Sequence, residues 1–234
     1  MRTTLPVEIL PQPDETTCGP TCLHTVYRFF EDYISLGTVI DEVKKLDEGG
    51  TLGVFLGCHA LRRGYKATIY SYNLQVFDPT WFGKDVSFIV DRLYKQLEIK
   101  TDPKLLLATK GYIEFLEMGG KVRFEDLNAA LIRKFVKRNQ PILTGLSATY
   151  LYRSAREFGP NSDFDDIQGE PSGHFVIIHG YDKLERKVFV SDPLKYNPLG
   201  FGHQYEVSID RVICAIMLGI LTYDANLLII RPHE

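Results

Sequence analysis

The chain has 234 residues, 44% of them hydrophobic and 24% charged, with a formal net charge of −3 at pH 7. That length and apolar content are enough for a sizeable core, in one large domain or two lobes, and they exclude a chain kept disordered by charge. The slightly acidic balance also argues against a general nucleic-acid surface.

Residues 1 to 11 alternate Leu5, Val7 and Ile9 between prolines, which predicts an extended arm or edge strand. No basic region followed by an apolar run is present there, so no signal peptide is expected. The longest apolar stretch, near Val212 to Leu221, is too short and glycine-interrupted to span a bilayer. Four cysteines without regular spacing, and no export signal, point to reduced thiols in a cytoplasmic protein.

The arm leads into Gln12-Pro13-Asp14-Glu15-Thr16-Thr17-Cys18-Gly19-Pro20. Pro13-Asp14 forms a turn, Thr16 and Thr17 carry hydroxyls suited to helix capping, and an apolar helical pattern follows at Leu23, Val26, Tyr27 and Phe30. Cys18 therefore falls in the first helical turn. The helix dipole and unpaired N–H groups there favour a thiolate, the nucleophilic form of cysteine. Pro20 fits, since its missing N–H leaves no helical bond unmade in that turn. Cys22, Cys58 and Cys214 sit in apolar helical surroundings and read as small core residues.

Further helices are predicted over 38–46, 52–63, 85–98, 103–118 and 125–139, with one strand over 66–72, so the first 139 residues are mostly helical. From Gln140 the texture changes to short β-rich runs at 141–146, 174–181, 187–191, 203–207 and 227–231, with one more helix over 209–219. The acidic segment Tyr150 to Gly173 reads as a long loop, either a solvated one or one that overhangs a cleft, because it ends at His174.

A thiol nucleophile needs a base, and the base needs an orienting acceptor. If the chain turns about Lys183, Val176 faces Val190, Ile178 faces Val188, Gly180 faces Arg186, and His174 faces Asp192. Directly opposed Cβ atoms lie about 4.5–5.5 Å apart, close enough for the carboxylate to accept the imidazole N–H. His179 falls on the other face by strand parity, and His24, His59, His203 and His233 have no comparable partner. Gln12, just ahead of the helix, has the amide that can join the Cys18 N–H in holding an oxyanion.

Gln12, Cys18-Gly19, Gly173-His174-Phe175 and Asp192-Pro193 together resemble papain-like cysteine peptidases. They look closest to the bacteriocin-processing peptidases, which cut after double-glycine leaders, and to their stand-alone relatives. The resemblance covers about 12–31 and 140–195; it leaves 73–138 and the C-terminus unmatched. It implies a Cys-His-Asp triad of Cys18, His174 and Asp192, with Gln12 at the oxyanion and a thioester intermediate. It also implies an α+β, papain-like fold, one domain spanning 1–234: an N-terminal arm and helical lobe over 1–139 and an antiparallel sheet lobe over 140–234. The substrate would be a peptide or protein, no cofactor is called for, and the oligomeric state stays open.

Two other readings remain open. The stretch from Gly173 through Asp192 to Lys195-Tyr196-Asn197-Pro198 is also similar to phytochelatin synthases, which implies a γ-glutamyl or dipeptidyl transpeptidase. A non-catalytic peptide-binding module on the same fold is the third. A metal site drawn from Cys18, Cys22 and His174 lacks any tight Cys-x-x-Cys or His-x-x-x-His pair.

Overall fold

The computed structural model describes residues 2–47, 49–159, 161–200 and 202–233. The arm begins as strand β1 (Arg2–Thr4), and Leu5 and Val7 after it are buried. The Leu5 N–H donates to His179 O at 2.8 Å, which stitches the arm to the sheet. Helix α1 (Cys18–Phe29) follows and buries Cys22, Leu23, Val26 and Tyr27.

Side-chain caps from Ser35, Asp85, Asp102 and Asn128 decide where the helices that follow them start. Helix α2 (Leu36–Glu42) begins two residues before the expected Thr38 because Ser35 Oγ accepts from Thr38 N, and it stops early because Val43 is extended. Helix α3 (Gly53–Arg62) leads into strand β2 (Lys66–Ser71) and a 3-10 turn over Pro79–Gly83. Asp85 caps helix α4 (Val86–Ile99), and Asp102 followed by Pro103 opens helix α5 (Pro103–Glu117). A short strand β3 (Lys121–Arg123), not expected, precedes helix α6 (Ala129–Lys137). That helix starts at Ala129 and not near Glu125, because the Asn128 side chain accepts from the N–H groups of Ala130 and Leu131.

The second part of the chain is built on strand β4 (Ile142–Ser147), helix α7 (Ala148–Tyr152), and a two-stranded hairpin of β5 (Glu157–Phe158) and β6 (Asp163–Phe164). The segment read as a structureless loop thus carries a helical turn and a hairpin. Strands β7 (Gly173–Asp182), β8 (Lys187–Ser191) and β9 (Gln204–Ser208) come next. Helix α8 (Ile209–Leu218), a 3-10 turn over Gly219–Thr222 and strand β10 (Asn226–Arg231) complete the chain.

Eight strands form one sheet in the order β3-β2-β10-β4-β7-β8-β9, with β1 paired to β7. Among the described strands β2 and β3 alone pair in parallel; the chain between them passes through α4 and α5. The rest is antiparallel, so the α+β class holds. Strand β2, from the mostly helical first part, is an inner strand of this sheet against β10. β7 is buried at every position from His174 to Tyr181, so both of its faces are covered.

The β7–β8 register differs from the expected one. Ile178 faces Val190 and Ile177 faces Ser191, then a bulge at His179 shifts the pairing so that Gly180 faces Phe189 and Tyr181 faces Val188. Continuing the inner register puts Asp192 opposite Val176, one diagonal step from His174 on the same face. The turn sits later than a symmetric turn about Lys183, with Arg186 left-handed at φ 52°.

α1 meets β7 closely. A Cβ on Gly19 would lie 2.7 Å from Thr51 Cγ2 and 3.2 Å from Phe175 Cδ2, so a side chain there would push the helix away from the sheet. The Cys22 thiol donates to Phe175 O at 3.3 Å and ties the two elements one helical turn below Cys18.

Candidate active site

Cys18 is the first residue of α1 and is half-buried. The expected hydroxyl capping is not made: the Thr17 hydroxyl donates to Asp14 O at 3.1 Å, and the Thr16 hydroxyl donates to Asp14 Oδ1 at 2.8 Å. Asp14 therefore shapes the turn, and no side-chain cap occupies the helix start. The N–H groups of the first turn, which have no acceptor within the helix, remain available to an anion held beside Cys18.

His174 lies near the start of β7, opposite Leu146 of β4. Its Nε2–H donates to Asp192 Oδ1 at 2.9 Å. Burial works against a charged ring, but the Asp192 carboxylate and the nearby Cys18 side chain raise the His174 pKa to about 10. With Nε2 turned to Asp192, Nδ1 is the ring nitrogen left to serve Cys18.

Asp192 is fully buried and saturated with donors. Oδ1 takes the His174 ring and the Leu194 N–H at 2.8 Å; Oδ2 takes the hydroxyls of Tyr152 at 2.7 Å and Tyr205 at 2.8 Å. Burial would raise its pKa, yet the His174 charge and these hydrogen bonds hold it below the usual carboxylate value. Burial and the Asp192 charge push both phenols well above their ordinary range, so both stay protonated donors. His203, which shows no partner in the sequence, accompanies Asp192 at the backbone: its ring lies 2.8 Å from Asp192 O, and its carbonyl accepts the Asp192 N–H.

Gln12 joins this group from the arm. Its backbone N–H donates to Pro193 O at 3.0 Å, and its Nε2 donates to Asp14 O at 2.9 Å. Oε1 is buried without a partner, so the amide is aimed by Asp14 and not fully paired.

The structure thus brings Cys18, His174 and Asp192 together and straps Gln12 beside them. The tyrosines were missed, because Tyr152 and Tyr205 reach Asp192 from sequence positions 40 and 13 residues away. Among the other cysteines, Cys22 is buried with its thiol pushed well up by burial, and Cys58 is pushed up to about 12 by burial. Cys214 corrects the expectation of a core thiol: it is exposed, on the outward side of α8. Among the described residues no group of three His, Cys, Asp or Glu side chains is placed to hold a metal, and no helix is long and apolar enough to cross a membrane.

A cavity of about 220 Å³ opens beside Cys18, lined also by Gly49, Gly50, Lys104, Gly173 and Asp224. A larger one, about 450 Å³, lies around α7 and α8 and contains neither Cys18 nor His174.

Residues 111–209 match the family model described as Peptidase_C39 like family. That stretch holds His174 and Asp192, stops short of Gln12 and Cys18, and starts inside the region that the motif resemblance left unmatched. No curated protein matches the chain. A solved structure described as a C39-like peptidase from Bacillus anthracis superposes with a TM-score of 0.52 at 15% identity, covering 100% of this chain and 99% of that one. The double glycine motif protease of an AMS/PCAT transporter, in complex with the leader peptide, gives a TM-score of 0.47 at 12% identity over 99% of this chain and 95% of that one. The peptidase domain of Streptococcus ComA, a bi-functional ABC transporter of a quorum-sensing pathway, gives 0.45 at 12% identity over 97% and 99%. The resemblance read from the motifs is borne out by the family match, and the fold is that of the C39 papain-like peptidases. Family and fold together support a cysteine peptidase in general terms.

Proposed function

Starting from a C39-like peptidase match over residues 111–209 and a C39-like peptidase fold over the whole chain, we propose that this protein hydrolyses peptide bonds through Cys18, His174 and Asp192. The observation that carries the reading is the His174 ring, held between the Cys18 side chain and Asp192 Oδ1 at 2.9 Å. We read the chain as one catalytic domain, with Cys18 supplied by the helical part and His174 and Asp192 by the sheet. Its four cysteines are free, which fits a reducing, cytoplasmic setting.

Cys18 Sγ attacks the carbonyl carbon of the scissile bond, forming a C–S bond while the π electrons move to oxygen. The Cys18 N–H and the Gln12 amide hold that oxyanion. The oxyanion collapses, the C–N bond breaks, and His174 gives its Nδ1 proton to the departing amine. A thioester remains on Cys18. Water then attacks the thioester carbonyl while His174 takes one water proton; the C–S bond breaks, and the acid product leaves with the sulfur restored. Asp192 exchanges no proton with substrate; it fixes the ring and stabilises its cationic form.

Incubation of the purified protein with a diverse peptide pool, read by mass spectrometry against Cys18→Ala, tests this. New peptide ends in the wild type alone support hydrolysis. Transferred acyl groups would instead identify a transpeptidase, and an unchanged pool a binding module.

A further inference from the structure

The cavity beside Cys18 has a floor that the triad does not use. Asp224 lines it and is only 7% exposed. Both described donors to its carboxyl fall on Oδ1: the Gly53 N–H at 2.7 Å, from the first residue of α3, and Asn226 Nδ2 at 3.4 Å. No described residue donates to Oδ2, which leaves that oxygen available to a ligand in the cavity that Asp224 lines.

The walls are backbone on two sides. Gly49 and Gly50 sit at φ 90° and 76°, a conformation that disfavours side chains, and Gly173, just ahead of His174, also lines the cavity. The volume of about 220 Å³ is below the range of about 300–1,000 Å³ for pockets that hold drug-sized ligands, so the space suits one side chain. Glu15 and Lys104 at the lining offset each other in formal charge, and Lys104 acts on Asp224 through space, lowering its pKa. Lys104 Nζ lies 5.8 Å from the Tyr223 ring centroid. The buried carboxyl is then the group that sets the sign of the pocket.

Resting on the peptidase reading above, we propose that this cavity receives a lysine or arginine side chain of the substrate beside the scissile bond, with Asp224 Oδ2 accepting its N–H groups. A cation suits the site because a free carboxylate oxygen facing a narrow, partly dehydrated slot gains most from a charged donor. Burial raises the Asp224 pKa to about 7, against the Gly53 and Asn226 hydrogen bonds and Lys104, which lower it. The titratable groups around it are Lys104 and Tyr112 of α5, with Glu15 across the cavity. Preference for a basic residue therefore rises with pH through neutrality, as the carboxyl ionises.

The test uses peptidyl acyloxymethyl ketones, electrophiles that alkylate a cysteine nucleophile, with lysine, arginine, norleucine or glutamate at each position before the reactive carbonyl. Alkylation of Cys18 is followed by intact mass, and hydrolysis of matched peptides is run in parallel. At one position lysine or arginine should outpace norleucine by at least about 10-fold, a ratio equivalent to one ordinary charge-assisted contact. The ratio should climb between about pH 5.5 and 8.5 and collapse in Asp224→Asn, and Lys104→Gln should increase it. No basic preference at any position, or an equal one in folded Asp224→Asn, overturns the proposal. Should that variant not fold, a wild-type ratio flat with pH overturns it. Basic-selective labelling of Cys18 without hydrolysis would sink the peptidase reading alone; hydrolysis without selectivity would sink the pocket alone; no labelling at Cys18 contradicts both.

Discussion

Tyr205 donates its hydroxyl to Oδ2 of Asp192 at 2.8 Å, on the carboxylate oxygen that His174 does not use. Tyr152 donates to the same atom at 2.7 Å, so the carboxylate bonded to the His174 ring is itself held at both oxygens. Asp192 is fully buried, so each of these bonds restricts where it can point, and through it the His174 ring.

Tyr205→Phe and Tyr152→Phe should each lower kcat/KM by several-fold, and the double variant by about 10-fold or more, because a buried oxygen left without donors costs about 1–3 kcal/mol. KM should move little. Steady-state kinetics with thermal melts would check this; a double variant at the wild-type rate would show that the tyrosines only fill space.

Asp192 makes a graded case. Asparagine can keep Oδ1 as acceptor for His174 and Leu194 and turn its two amide hydrogens to the tyrosine hydroxyls, so Asp192→Asn should fold and retain measurable turnover. It loses the charge that, against burial, raises His174 to about 10. Wild-type activity should therefore fall on the alkaline side as pH rises through about 10, and in Asp192→Asn that limb should move to lower pH. Asp192→Ala should lose more than Asp192→Asn. Coincident alkaline limbs in pH profiles of kcat/KM would contradict the role given to Asp192.

Gln12→Ala should reduce kcat by about 10²–10³ with little change in KM, the usual consequence of removing one prearranged oxyanion donor. The Gln12 N–H bond to Pro193 O is made by the backbone and survives the change. An unaltered kcat would mean that the amide pointing to Asp14 serves the turn alone.

The site's chemistry was more legible than its geometry. Thr-Thr-Cys-Gly-Pro marked the helix start, because proline and an apolar period are local signals, and the His174–Asp192 meeting was reached although the register used to reach it was wrong. A bulge at His179 shifts the strands, and nothing local announces it: the ring is occupied by Leu5 O at 3.2 Å, 174 residues away. Tyr152 and Tyr205 could not be read for the same reason, since convergence on one carboxylate oxygen is a property of the fold. β3 has three residues and exists by pairing with β2, so no periodicity reveals it. Cys214 misled because an apolar run in a helix does not say which of its faces is covered.

Asp224 gives a prediction in stability. Its folded pKa of about 7 lies above the value near 3.9 of an unfolded aspartate, so the native state holds the extra proton between them and stability declines as pH rises across that window. Asp224→Asn, which can still accept from Gly53 N–H, should melt higher than wild type at about pH 8, by on the order of 1–3 kcal/mol, and the two should converge near pH 4. Denaturation midpoints at both pH values would show it; a variant less stable at pH 8 would mean that the ionised carboxyl contributes to the fold.

The central claim is that an acyl group passes through Cys18. Acid quenching of the protein during turnover of a cleaved peptide, followed by intact-mass and fragment analysis, tests it most directly. The expected result is a species heavier by the acyl fragment, mapped to Cys18 and absent from Cys18→Ala, with no adduct on exposed Cys214. Peptide hydrolysis that continues at the wild-type rate in Cys18→Ala, with no adduct on the wild type, would contradict it.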